Sequence, residues 1–377
     1  MTASLRHVVF AGGGTAGHLF PGLAVAAALR ATDPDVEITF ACGGTEFERL
    51  HVAAAGCRLL PVASSPLPRS PRQAWRFVSD NLAGYRTAAA WLRRQEVDVV
   101  VGLGGHGSVP LARAAAARGT PLVLLEQNVV PGRATLWLAR RAQAICLAFE
   151  PSKRQLSAAC PVRVTGNPLR PGFERTRPAL VTDGGPPRRK RLLVLGGTHG
   201  ARTLNQQAPK ALYRLRRQLV GWDIYHQTGR WGADETAELY RKLGLRARVE
   251  SFFDPVARLF SQGDLAISRG GGTTLAELAA AGVPAVVVPY PLAADDHQRH
   301  NADYFATRGA CLVLDQRQIS GRFDTALAET VAPLLDDPLA RAAMAEAMGH
   351  LARPEAAFHV AGVVADVATS RHYRHAV

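Results

Sequence analysis

Histidine 18 follows a glycine turn in GGGTAGH, at the start of a helical stretch, where an imidazole can act as a base or bind an anion. A histidine in that place can equally satisfy a loop carbonyl, and spacing alone does not choose. Gly12 to Gly14 is one of four such turns, with Gly104 to Gly107, Gly196 to Gly200 and Gly270 to Gly272. Glycine after a strand lets the backbone turn tightly and approach a ligand, and the next helix offers unpaired amides and a positive dipole end. One turn is weak evidence; four together imply anionic ligands. Glu277, in TTLAEL after the last turn, can accept hydrogen bonds from a ribose or simply place negative charge near a helix N-terminus. Gly12, Gly14 and Gly17 spell GxGxxG, but Glu37 precedes the second strand rather than closing it, which speaks against a nicotinamide enzyme.

The elements that must position these groups alternate along the chain. Apolar runs at His7 to Ala11, Val36 to Ala41, Val97 to Leu103 and Leu122 to Glu126 are separated by Ala-rich helical stretches, the α/β pattern with parallel strands. The rhythm breaks at Pro168 to Arg191, rich in Pro, Gly and Arg, which reads as a linker between two domains. The segments on either side of that linker resemble each other. HVVFAGGGTAGH (His7 to His18) corresponds to RLLVLGGTHGAR (Arg191 to Arg202), and Val99 to Leu125 corresponds to Leu265 to Val288. Two doubly wound units facing each other give a cleft at the carboxyl ends of their strands, where ligands of open α/β sheets bind.

The 377 residues suit two domains, and 47% hydrophobic with 20% charged residues excludes wholesale disorder, collagen and coiled coil. No run of eighteen apolar residues occurs, and the N-terminal segment reads as a strand rather than an export signal. The five cysteines, Cys42, Cys57, Cys146, Cys160 and Cys311, are scattered and never paired as CxxC, so neither a disulfide framework nor a zinc site is indicated. The net charge of +14 is carried almost wholly by arginine and suits phosphate-bearing ligands or an anionic membrane. Nucleic acid is disfavoured, because no basic recognition helix, aromatic RNA-binding strand or zinc-finger spacing accompanies the charge. In Pro71 to Arg94, Trp75, Val78, Leu82 and Tyr85 share one helical face flanked by Arg72, Arg76, Arg86 and Arg93. Such a face docks on anionic lipid or turns into a core.

Six segments, in order, resemble the MurG family of N-acetylglucosaminyltransferases: GGTAGHLFPGLAVA (Gly13 to Ala26), LEQN (Leu125 to Asn128), GNPLR (Gly166 to Arg170), GGTHGARTLN (Gly196 to Asn205), RGGGTTLAELAAAGVPAVVVPYP (Arg269 to Pro291) and HQRHNA (His297 to Ala302). The resemblance implies a GT-B fold: two Rossmann-like domains with parallel sheets facing a central cleft. The expected boundaries are 1–167 for an acceptor and membrane-facing domain, 168–190 for the linker and 191–354 for the UDP-GlcNAc domain. A helix near 355–370 is expected to return to the first domain.

The resemblance also implies inverting transfer of GlcNAc from UDP-GlcNAc to the muramyl C4 hydroxyl of undecaprenyl-pyrophosphoryl-MurNAc-pentapeptide (lipid I), with His18 facing the acceptor. An imidazole suits the base role there, and helix N-termini with an arginine can stabilise the leaving phosphate, so no metal or other cofactor is expected. Donor contacts carry over to Arg170 and Thr198 for the diphosphate, the Phe253 backbone for uracil, Gly272, Thr273 and Thr274 for the phosphates, and neighbouring Leu275 and Ala276. Glu277 is assigned the ribose, Gln298 the sugar hydroxyls, and Asn301 completes that wall. Thr15, Ala16, Gly17 and Asn128 reach the GlcNAc from the opposite wall. Acceptor contacts fall on Gly13 and Gly14 and on Gly104, Gly105, His106, Gly107 and Ser108, and membrane contacts on Trp75, Val78, Leu82 and Tyr85. The implied setting is peripheral, on the cytoplasmic face of the bacterial inner membrane, with other cell-wall enzymes as candidate partners. A GT-B transferase acting on another lipid, or a UDP-GlcNAc epimerase, are the competing readings.

Overall fold

A computed structural model describes residues 5–68, 70–173, 188–197 and 200–375, with side chains as far as Ser370. Thr198 and most of the expected linker lie outside the described residues. The chain divides into two compact units, one running to Arg170 and resumed from Glu355, the other Pro171–Pro354.

The first unit is built from β1 (His7–Ala11), α1 (Ala16–Thr32), β2 (Glu37–Cys42), α2 (Glu46–Ala54), β3 (Arg58–Pro61), α3 (Pro71–Leu92), β4 (Val99–Gly102), α4 (Val109–Ala117), β5 (Leu122–Glu126), α5 (Arg133–Leu138), β6 (Ala144–Leu147) and β7 (Val162–Val164). Its seven strands form one parallel sheet in the order β3-β2-β1-β4-β5-β6-β7. The second unit comprises β8 (Lys190–Leu195), α6 (Arg202–Arg214), β9 (Trp222–Gln227), α7 (Ala233–Lys242), β10 (Ala247–Glu250), α8 (Val256–Phe260), β11 (Leu265–Ser268), α9 (Gly272–Ala281), β12 (Ala285–Val287), α10 (His297–Ala306), β13 (Cys311–Val313), α11 (Phe323–Asp336) and α12 (Pro338–Leu351). Its six strands run in the order β10-β9-β8-β11-β12-β13, again all parallel.

Strands covered on both faces read as continuous apolar runs rather than alternating ones, as the fully buried His7–Ala11 and Leu122–Glu126 do. Phe10 stacks on Phe40 across the β1–β2 pair, ring centroids 4.9 Å apart. The third expected run, Val97 to Leu103, is trimmed to Val99–Gly102. Asp98, just before the strand, still donates its amide to His7 O at 3.0 Å, while its carboxylate accepts from the backbone amides of Arg6 at 2.7 Å and His7 at 2.9 Å and ties the entry of β1.

A last helix, α13 (Ala356–His375), packs against α1, and Val360, Val363, Val364 and Ala368 join the same core cluster as Val8, Phe10 and Leu29. The C-terminal segment therefore completes the first unit's core.

In both orders the winding reverses between two central strands, β1 and β4 in the first sheet and β8 and β11 in the second. These are the switch points at which open α/β sheets bind ligands. All four glycine turns come directly after those four strands, so the internal correspondence seen in the sequence maps the two switch points onto each other.

On α3 the core-facing reading of the apolar stripe fails for three of its members. Trp75, Val78 and Leu82 are 73%, 55% and 43% exposed. The buried side of the helix is Gly84, Ala88 and Leu92. Tyr85 departs from the stripe and packs against the core, because roughly 100° per residue brings it round toward Ala88 and Leu92. Among the described residues no helix is long and apolar enough to cross a membrane.

Candidate functional site

On the first unit the site begins at the carboxyl end of β1. Thr15 caps α1 with extended backbone, but its hydroxyl does not bond the helix amides; Oγ1 lies 3.0 Å from Nδ1 of His18. When Nδ1–H donates to that hydroxyl, Nε2 carries the lone pair and is the nitrogen that can accept a proton. The half-buried His18 ring lies on the backbone of the second glycine turn. A Cβ on Gly104 would come within 3.4 Å of the ring and one on Gly105 within 3.3 Å, and both glycines have positive φ, +87° and +67°. Only glycine gives the imidazole this flat bed.

The turn continues into a 3-10 segment, His106–Ser108, and then α4. Ser108 is buried, and its hydroxyl donates to Gly105 O at 2.9 Å, so it holds the turn and is not displayed to a ligand. His106 is exposed and Gly105 and Gly107 are partly so.

The first turn differs from the expectation. The Gly12 amide donates to Ala41 O at 2.9 Å and the Gly14 amide to Glu48 Oε1 at 2.7 Å, so neither amide is turned to a ligand. Gly13 faces the same carboxylate, 2.4 Å from where its Cβ would stand. The Gly14 amide thus seats the loop, while Gly14 itself stays exposed and Gly13 partly so. Ala16 and Gly17 open α1 and are partly exposed beside Thr15.

Asn128 is organised by Glu126, a buried carboxylate at the end of β5. Oε1 of Glu126 accepts from the Asn128 amide at 3.0 Å and from its Nδ2 at 3.1 Å, and Oε2 accepts from Gly132 N at 2.9 Å and Thr135 Oγ1 at 2.7 Å. Part of the Asn128 carboxamide is thus directed inward. Arg170 is half-buried, its guanidinium 4.7 Å over the Phe20 ring.

On the second unit the corresponding place is the start of α9. Gly271 caps the helix with no acidic residue in the first turn, which leaves the dipole's positive end without a built-in countercharge. Gly270 is clamped from α10. Gln298 Oε1 accepts from Gly270 N at 3.2 Å and Tyr290 N at 2.9 Å, and Asn301 Nδ2 donates to Gly270 O at 3.0 Å. Asn301 is fully buried, so its assignment as a donor contact is corrected to that of a brace; Gln298 keeps only its amide side for a sugar. Gly272, Thr273, Thr274 and Ala276 line the first turns, but Leu275 is fully buried and can offer backbone only. Glu277, on the second turn, is 1% exposed, enclosed in the wall and not displayed on it.

Beside this cradle Arg269 is a group the sequence reading left unassigned. It is buried, donates to Val288 O, Pro289 O and Gln316 Oε1 at 3.0, 3.2 and 2.7 Å, and burial pushes its guanidinium down to about 10. It remains a cation at neutral pH, directly before the glycine turn.

The loop facing the third turn is braced as well. Asn205 Nδ2 donates to Thr228 O and Trp231 O, while its Oδ1 lies 3.2 Å from His226 Nε2 and Tyr240 OH 3.0 Å from His226 Nδ1. Burial pushes the His226 imidazole down to about 3, so it is neutral, donating from Nε2 and accepting at Nδ1. Phe253 is buried, with Arg248 5.5 Å over its ring.

Residues 8–147 match the Glycosyltransferase family 28 N-terminal domain and residues 191–360 its C-terminal domain. A UDP-N-acetylglucosamine--N-acetylmuramyl-(pentapeptide) pyrophosphoryl-undecaprenol N-acetylglucosamine transferase of Methylococcus capsulatus is 40% identical over 360 residues, 95% of this chain and 98% of the relative. The chain belongs to that family. A relative of the same description from Xylella fastidiosa is 37% identical over 370 residues, 95% and 96% of the two chains. The crystal structure of Acinetobacter baumannii MurG superposes with a TM-score of 0.75 at 29% identity, covering 95% of this chain and 99% of that one. The family's fold is GT-B, and the seven-stranded and six-stranded parallel sheets are its two Rossmann-like halves.

Proposed function

We propose that this enzyme transfers GlcNAc, with inversion, from UDP-GlcNAc to the muramyl C4 hydroxyl of undecaprenyl-pyrophosphoryl-MurNAc-pentapeptide, giving lipid II and UDP for peptidoglycan synthesis. The observation that carries the reading is the tethered imidazole: His18 at a switch point, fixed through Nδ1 to Thr15 and laid on a glycine bed. His18 Nε2 takes the proton of the C4 hydroxyl as its oxygen attacks the anomeric carbon. The bond from that carbon to the β-phosphate oxygen breaks, and the electron pair leaves with UDP. The departing phosphate is stabilised by the α9 amides, the uncompensated helix end and the nearby positive charge of Arg269, with Arg170 and Thr198 as further contacts.

No metal is assigned to this chemistry. The one Asp-x-Asp pair, Asp33 and Asp35, precedes β2 at the amino-terminal ends of the strands, away from the carboxyl ends that carry the glycine turns, and Asp33 Oδ2 accepts from Leu5 N at 2.8 Å. The exposed Trp75, Val78 and Leu82, with arginines along the same helix, support docking of the first unit on anionic lipid at the cytoplasmic side of the inner membrane, where a polyprenyl-linked acceptor is met.

The deciding experiment incubates the protein with radiolabelled UDP-GlcNAc and a lipid I analogue, with and without EDTA. The expected result is equal transfer of label in both. Label lost from UDP-GlcNAc but never found on the lipid would instead favour an epimerase, and EDTA-sensitive transfer would overturn the metal-free mechanism.

A further inference from the structure

Glu48 is a carboxylate with no solvent exposure, at the third position of α2. Its Oε2 accepts from Thr45 N at 2.8 Å and Thr45 Oγ1 at 2.9 Å, while the Glu48 amide donates to that hydroxyl at 3.4 Å, a reciprocal helix cap. Capping alone uses one oxygen. The other, Oε1, reaches out of α2 and takes the Gly14 amide at 2.7 Å, 34 residues away in sequence. Gly13 is glycine where any Cβ would stand 2.4 Å from that oxygen, and Gly14 has φ of +80°. The Cys42 thiol lies alongside, pushed up to about 12 by burial first and by the Glu48 charge second, so it stays neutral. The donors on this carboxylate are two amides, the Thr45 hydroxyl and the neutral Cys42 thiol, the partners that an acceptor-only anion takes.

A glycine turn between a strand and a helix is the usual seat of a phosphate. Here the amide that would meet a phosphate meets a carboxylate built into the chain. We infer that Glu48 is the resident anion of the first glycine turn, a positioning residue that excludes the acceptor's diphosphate from that turn, directs it to the Gly105 to Gly107 turn, and fixes Thr15 and His18 for proton abstraction. This deepens the transfer reading and rests on it. The order of parts is short: Glu48 holds Gly14, Gly14 leads into the cap residue Thr15, and Thr15 holds Nδ1 of His18. Geometry at the base is sensitive to small shifts, since a misplacement of 1 Å costs about 100-fold in rate.

Two variants break the latch from opposite sides. Glu48→Gln keeps shape but turns an NH2 group toward one of the amides it held, and Gly13→Ala keeps the charge but drives a methyl into Oε1. Each is assayed with UDP-GlcNAc and a lipid I analogue, by thermal unfolding, by UDP calorimetry, and by NMR titration of the His18 imidazole. Both are expected to lower kcat by about 10- to 100-fold, with KM for both substrates within about threefold and UDP affinity unchanged. Both should also shift the acidic limb of the kcat/KM profile. Wild-type kcat in folded variants overturns the inference. So does a rise in acceptor KM alone, which would make the first turn a phosphate seat, and so does loss of folding in both, which would leave Glu48 purely structural. If the wild-type protein transfers no label, the transfer reading fails by itself. The His18 titration then judges the latch, a shift in both variants supporting it and an unmoved imidazole overturning it.

Discussion

Gly105 opens the turn that takes the acceptor's diphosphate in the proposed mechanism and also carries the imidazole of His18, and its value to the ring lies in the side chain it lacks. A methyl there would meet the ring at 3.3 Å on a backbone at φ +67° and ψ 172°, a region essentially reserved to glycine that costs an L-residue on the order of 1–3 kcal/mol. Gly105→Ala is therefore expected to lower kcat by about 10-fold or more while leaving UDP affinity, measured by calorimetry, as it was. Equal turnover would remove the ring's placement from the mechanism. At this scale the sequence showed part of the site. It offered His18, because an imidazole after a glycine turn is a visible pattern. It did not offer Glu48, although Thr45-x-x-Glu48 is a legible helix cap. The second bond of that carboxylate spans 34 residues, and no local pattern encodes a contact of that kind. Asn301 was misassigned for the related reason that a motif position does not say whether its amide points outward or into the loop it supports.

Elements were more legible than side chains. The central strands β1, β4, β5, β8 and β11 declare themselves as apolar runs because both their faces are covered, whereas β3, β7 and β10 carry exposed, mixed sequences, and the expected β4 run shortened at both ends to Val99–Gly102. The stripe on α3 was the ambiguous case. Periodicity gives an apolar face but not its occupant, and the core claims instead the small residues Gly84 and Ala88 together with Leu92. The face left outside presents Trp75, Val78 and Leu82. Replacing all three by serine should reduce binding to vesicles containing anionic lipid, measured by co-sedimentation at low salt, while leaving transfer to a soluble acceptor analogue and thermal stability close to wild type. Unchanged sedimentation would take α3 out of membrane contact.

At the scale of the whole molecule the sequence of one unit is inserted within that of the other. The first unit is opened by β1 and finished by α13, with the second unit, Pro171–Pro354, set between them in sequence. Val360 and Val364 are fully buried in the first unit's core. Val364→Ala should cost that unit about 2 kcal/mol in a denaturant titration and leave the UDP affinity of the second unit unaltered. A matching loss of UDP affinity would show that the two units are not energetically separate.

The nesting also sets an order of assembly on the ribosome. Every strand and helix of the second unit has been made before the first residue of α13 emerges, whereas the face of α1 that α13 covers waits for it through the synthesis of the whole insert. The unit begun first closes last, and until α13 arrives the valine, leucine and phenylalanine side chains of its core that α13 covers stay open to water.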